Sequence, residues 1–118
     1  MVFVTKYRQK IFTKEYLQLM QDVFTRVCTD FNAQLIEFDG EIDHVHLLVH
    51  YPPNVLLTKL INSLKGVSSR MLKKQYPNIT KHYYKNQALW SPSYFIASCG
   101  GAPIEIVKQY IQQQKTPS

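Results

Sequence analysis

Cysteine is nearly missing from this 118-residue chain: there are two, Cys28 and Cys99, far apart and in no close pair. That excludes a disulfide framework and a zinc ribbon, and both thiols read as buried and free. No apolar run approaches the roughly 20 residues that a bilayer span requires, and no signal peptide is read before the first strand. The chain is therefore expected in the cytoplasm and not at a membrane. Repeats, linkers and low-complexity segments are also lacking, so residues 1–118 are expected to form a single domain. Acidic residues are few, eight against fourteen Lys and Arg, giving a formal net charge of +6. Such an excess favours an anionic partner, nucleic acid first, although many basic domains bind none.

What is present in quantity is apolar. With 45% hydrophobic residues the chain can bury a real core. Eight Tyr, six Phe and one Trp are enough to offer ring faces to unstacked bases, although most rings in such a domain are core.

Met1 to Arg8 reads as a first strand, with Val2 and Val4 on one face and Phe3 and Tyr7 on the other, and Lys6, Arg8 and Lys10 as a cationic exit. Thr13 is a candidate N-cap for a helix whose stripe is Leu17, Met20, Val23, Phe24, Val27, Cys28 and Phe31. Ala33 to Phe38 predicts a second strand, and Asp39-Gly40 a hairpin turn into a third. Tyr51-Pro52-Pro53-Asn54 ends that strand and is expected to cap a helix from about Val55 to Tyr76. Its inner stripe is Leu56, Leu60, Leu64, Val67, Met71 and Leu72. Lys59, Lys65, Arg70, Lys73 and Lys74 lie outward, either as a solvated face or as a phosphate-contacting surface. Gly66 in mid-helix suggests close approach of another group. Pro77 to Ser91 is irregular, and its Lys81-His82-Tyr83-Tyr84-Lys85 cluster is the best candidate loop for touching a base or sugar. Ser93 to Cys99 reads as a fourth strand, and Ile104 to Gln114 as a last helix after Gly100-Gly101.

The order is βαββαβ. It predicts an α+β fold of the ferredoxin-like, RRM-like kind: a four-stranded antiparallel sheet with two helices on one face. The additional C-terminal helix must go to an edge or to the open face of the sheet.

That open face is where the third strand becomes unusual. In Asp43-His-Val-His-Leu-Leu-Val-His50, alternation puts Val45, Leu47 and Val49 on one side and His44, His46, Leu48 and His50 on the other. Two imidazoles about 7 Å apart on one side of a strand can converge on a divalent metal. The same pattern also fits a half-buried strand whose exposed face happens to carry histidines. His50, roughly 13 Å along the strand from His46, is expected to be dispensable. On the last helix, Tyr110 and Gln114 are four apart and share a face. A tyrosine hydroxyl can act as a covalent nucleophile and a Gln carbonyl can ligate a hard cation. Tyr110 can equally be an amphipathic anchor with a wet hydroxyl, and Tyr83 with Gln87 shows how cheaply the spacing arises.

Six blocks together carry a resemblance over nearly the whole chain: Val2 to Arg8, Asp43 to Val49, Pro52-Pro53, Leu64 to Ser69, Leu89 to Phe95, and Tyr110 to Gln114. The sequence resembles the single-tyrosine HUH-superfamily transposases of the insertion sequence 200/605 type, which move as single-stranded DNA. The resemblance implies that His44 and His46 are the two histidines of the HUH motif, that Gln114 is the third ligand of Mg²⁺ or Mn²⁺, and that Tyr110 is the nucleophile. It also implies a homodimer with active sites shared in trans, binding single-stranded DNA with hairpins at the element ends. Lys6, Arg8, Lys65, Arg70, Lys73 and Lys74 are the candidate DNA contacts. Two rival readings are a hairpin-processing nuclease domesticated from such a transposase, and a non-catalytic single-strand nucleic-acid binder of RRM-like fold, whose aromatic-rich RNP pattern is not found.

Overall fold

A computed structural model describes residues 1–6, 9–82 and 89–97. Its elements are β1 (Val2–Val4), α1 (Lys14–Asp30), β2 (Gln34–Gly40), β3 (His44–His50) and α2 (Leu57–Gln75), followed by a 3₁₀ helix over Pro77–His82. The three strands form one antiparallel sheet in the order β1-β3-β2. Strand β3 takes the centre, where both of its faces can be covered.

Thr13 caps α1 as expected, its Oγ1 accepting from the Tyr16 amide at 3.2 Å. The stripe Met20, Val23, Phe24, Val27 and Cys28 is buried. Burial pushes the Cys28 thiol up to about 11, so it stays protonated and inert. Beyond α1 the chain reverses at Asn32, at φ 57°, a left-handed position that Asn tolerates.

The hairpin differs from the expected one. Asp39 and Gly40 stay in the β2 ladder, and the turn is made by 41–43, where the Glu41 amide donates to the His44 carbonyl at 2.9 Å. Gly40 serves packing instead: a Cβ there would meet Leu17 Cδ2 at 2.5 Å and Val45 Cγ1 at 3.3 Å, so α1 leans on this point. A bulge between Leu35 and Glu37 leaves Ile36 out of register, which bends the edge strand.

Helix α2 starts later than predicted. Asn54 does not cap it; the cap position is Leu56, which makes no side-chain cap bond and is 59% exposed. A turn in which Val55 donates to the Pro52 carbonyl takes up the intervening residues. Leu60, Ile61, Leu64, Ser68 and Leu72 are its buried face. Among the described residues only Arg70 Nη1, at 3.3 Å, lies near a Cβ built on Gly66, so no described neighbour makes the close approach expected there.

The helices cover the sheet face that carries Phe3, Phe38, Val45 and Leu47. There Phe3 meets Phe24 and Trp90 edge-on at 6.2 and 5.8 Å, and Phe24 meets Phe38 at 5.8 Å. One polar chain crosses this core: Trp90 Nε1 donates to Ser68 Oγ at 3.0 Å, and Ser68 Oγ donates to the Lys65 carbonyl at 3.0 Å.

Of the fourth strand expected over Ser93–Cys99, the described residues show one isolated antiparallel bridge, Val2 with Phe95; a second bridge, Thr5 with Trp90, lies before it. Pro92 has no amide to offer a ladder. The Ser91 and Ser93 carbonyls turn to Lys65 Nζ, at 2.8 and 3.0 Å. Tyr7, Arg8, Cys99 and the predicted helix over Ile104 to Gln114, with Tyr110 and Gln114, lie outside the described residues, as does most of the basic-aromatic loop. No helix among the described residues is long and apolar enough to cross a membrane.

Candidate functional site

Ladder register fixes the histidine side of β3. His44 stands opposite Val4, and His46 stands between Val2 on β1 and Asp39 on β2. Directly paired residues of an antiparallel sheet share a face, so Val2, Val4, His44, His46 and Asp39 line the side away from the helices. The expected open face is closed at this point: His44 is 1% and His46 4% exposed.

The chain then orients His44 from its own neighbour. Asp43 Oδ1 lies 2.8 Å from His44 Nδ1. A carboxylate accepts only, so Nδ1 carries a proton, and in the neutral ring Nε2 is the nitrogen that holds the lone pair. That Nε2 is buried and has no hydrogen-bond partner among the described residues. A buried polar atom left unpaired costs about 1–3 kcal/mol, a cost that a ligand on the lone pair removes. The His46 ring stands beside it, centroids 5.1 Å apart and planes at 89°. Burial is the main cause lowering the His46 pKa below its ordinary 6.5, helped by His44 and the N-terminal ammonium and opposed by Asp39. His46 is therefore neutral at pH 7, the form that binds metal.

Two adjacent imidazoles, one with a ring nitrogen turned inward and its other nitrogen held by a carboxylate, have the donor chemistry and outer support of a metal site. They are not a complete site. No cluster of three His, Cys, Asp or Glu side chains able to hold a metal occurs among the described residues. Asp43 is a site residue that the alternation of β3 does not reveal, although a carboxylate immediately before a His-x-His pair is within reach of the first ring. His50 lies at the exposed end of β3, opposite Gln34.

The candidate DNA contacts separate into groups. Arg70, Lys73 and Lys74 are exposed on α2. Lys65 is engaged inside the molecule: besides its two carbonyl bonds, its Nζ lies 5.2 Å from the Tyr94 ring centre and 5.5 Å from that of Phe3. Burial lowers its pKa. The Lys6 amide donates to the Leu89 carbonyl.

An α+β domain with a buried histidine pair on its central strand, one ring held by a carboxylate, is thus the class of domain that the fold and site define. Comparison with known proteins gives it a family. The family described as "Transposase IS200 like" matches residues 1–114. The transposase of insertion sequence element IS200 from Salmonella typhimurium is 30% identical over 113 residues, covering 96% of this chain and 73% of that protein. The ISDra2 transposase TnpA of Deinococcus radiodurans is 25% identical over 114 residues, 97% of this chain and 81% of its own length. A crystal structure of a candidate transposase from Deinococcus radiodurans R1 superposes with a TM-score of 0.75 at 26% identity, covering 98% of this chain and 88% of the other. The chain belongs to the IS200-like transposase family. Membership carries the general function of a transposase, the cleavage and transfer of DNA strands.

Proposed function

We propose that this chain is a metal-dependent single-stranded DNA transposase that cleaves and rejoins DNA at hairpin-bearing element ends through a 5′-phosphotyrosine intermediate. The observation that carries the reading is the buried, unpaired Nε2 of His44, held by Asp43 beside His46. His44, His46 and Gln114 would hold Mg²⁺ or Mn²⁺. When bound, such an ion stabilises negative charge developing on the scissile phosphate. Tyr110 supplies the attacking oxygen, which forms a bond to phosphorus as the bond to the 3′ oxygen breaks, leaving a 3′-hydroxyl. Phosphoester energy is retained in the new link, so the 3′-hydroxyl of another strand can displace the tyrosine without ATP. Excision requires two cuts and each chain offers one Tyr110, which favours a homodimer with sites shared in trans. Arg70, Lys73 and Lys74, with Lys6 and Arg8, contribute phosphate contacts, and the braced Lys65 contributes less than its neighbours.

Tyr110→Phe tests this directly, because it keeps the ring and removes only the oxygen. The variant should fold, dimerise and bind a hairpin oligonucleotide like the parent, yet leave no protein–DNA band on a denaturing gel. Adduct formation by pure Tyr110→Phe would move the nucleophile elsewhere, with Tyr83 next to test. Cleavage that persists in excess EDTA would remove the metal from the reading.

A further inference from the structure

Four of the chain's eight acidic residues fall at alternate positions 37, 39, 41 and 43, in a protein of net charge +6. Such a run beside a nucleic-acid site works against phosphate, so at least some of its members need another use. Asp43 has one, as the partner of His44 Nδ1. Asp39 is placed for a second.

Its place follows from register. Asp39 is the residue of β2 directly opposite His46, on the same side of the sheet. Directly opposed Cβ atoms stand about 4.5–5.5 Å apart, within reach of a short carboxylate and a ring. The carboxylate is fixed from its own backbone, since the Gly40 amide donates to Asp39 Oδ1 at 2.9 Å. Gly40 is in turn seated against Leu17 and Val45, so the carboxylate hangs from a packed stretch of strand.

We propose that Asp39 is a positioning residue for His46, orienting from across the ladder one imidazole of the metal-binding pair as Asp43 orients the other from the preceding position. The pair is then supported by two carboxylates on different segments, one on the edge strand and one in the turn. Carboxylates behind ligating imidazoles fix the ring and raise its basicity, and losing one typically weakens metal binding 10–100-fold. This inference rests on the proposed metal role of His44 and His46.

The test is Mn²⁺ affinity of the full chain, followed by loss of the free-ion electron spin resonance signal. Asp39→Asn should weaken Mn²⁺ binding about tenfold or more, while thermal unfolding and hairpin binding in EDTA match the parent. Asp39→Glu should recover part of the loss. Glu37→Gln, which removes the same charge opposite Leu48, should bind Mn²⁺ within about twofold of the parent. If Asp39→Asn does not fold, Asp39→Ser is measured in its place. Unchanged affinity in the Asp39 variants, or an equal loss in Glu37→Gln, overturns the assignment. A parent chain that binds no Mn²⁺ overturns the metal reading itself.

Discussion

The two faces of β3 are both buried, and they are buried for different reasons. On one, Phe3, Val45, Leu47 and Phe38 meet the rings and aliphatic chains of α1 and α2, apolar side chains with no hydrogen bond to satisfy. On the other, His44 and His46 sit nearly as deep, yet a His44 nitrogen is buried with no partner among the described residues. Depth alone does not separate core from site; the unpaired lone pair does. The first face stores folding free energy, and the second holds a cost that something other than folding must offset.

Substitutions should divide along the same line. The largest effect is expected on chemistry: His44→Ala should bring DNA cleavage below detection while hairpin binding stays near the parent level, because phosphate contacts supply most of the affinity. Full cleavage by this variant would reduce the histidine face to ordinary core. On the opposite face Phe3→Ala should cost about 3–5 kcal/mol in chemical denaturation, the usual loss for a buried ring. A cost under about 1 kcal/mol would mean that the two faces differ less than their packing implies. Ser68→Ala tests the one polar chain in the apolar layer. It strands the Trp90 indole N–H and should cost about 1–3 kcal/mol.

The pH dependence sharpens the contrast further. The folded His46 has its pKa below the ordinary 6.5, so the unfolded chain binds the extra proton more readily. Its contribution to stability is present above the unfolded value and is lost as pH falls below about 6.5. The melting temperature of the parent should fall over that range, and His46→Asn should flatten the decline. A parent whose melting temperature rises on acidification would reverse the sign. The smallest effect belongs to Gly66→Ala, expected to stabilise by about 0.5–1 kcal/mol because, among the described residues, only a flexible Arg70 tip stands in the way. A loss of stability would reveal a neighbour at that position.

Local chemistry was legible in the sequence. The Thr13 cap, the stripe of α1 and the two-sided pattern of β3 each depend on residues close together in the chain. Longer-range features were not. Asp39-Gly40 carries the strongest short hairpin signal, yet Gly40 is spent on the approach of Leu17, twenty-three positions earlier, and the turn moves on to 41–43. Alternation could say that His44 and His46 share a side, but not that this side would be buried. Lys65 read as one more outward cation because its partners, the carbonyls of Ser91 and Ser93, lie 26 and 28 residues away. A periodic stripe also overstates its own ends, as Leu56 shows by remaining exposed.

The grip of Lys65 has a consequence for how this surface can change. The lysine holds two main-chain oxygens, which every residue type provides, so the bond is indifferent to which side chains stand at 91 and 93. The serine hydroxyls add only a local pairing, Ser91 Oγ with Ser93 Oγ at 3.1 Å, which the grip of the lysine does not use. The constraint falls on one side only: on the length of the lysine arm, and on the spacing that presents alternate carbonyls to it. An inserted or deleted residue between 91 and 93 should therefore be far more damaging than any exchange of the serines themselves.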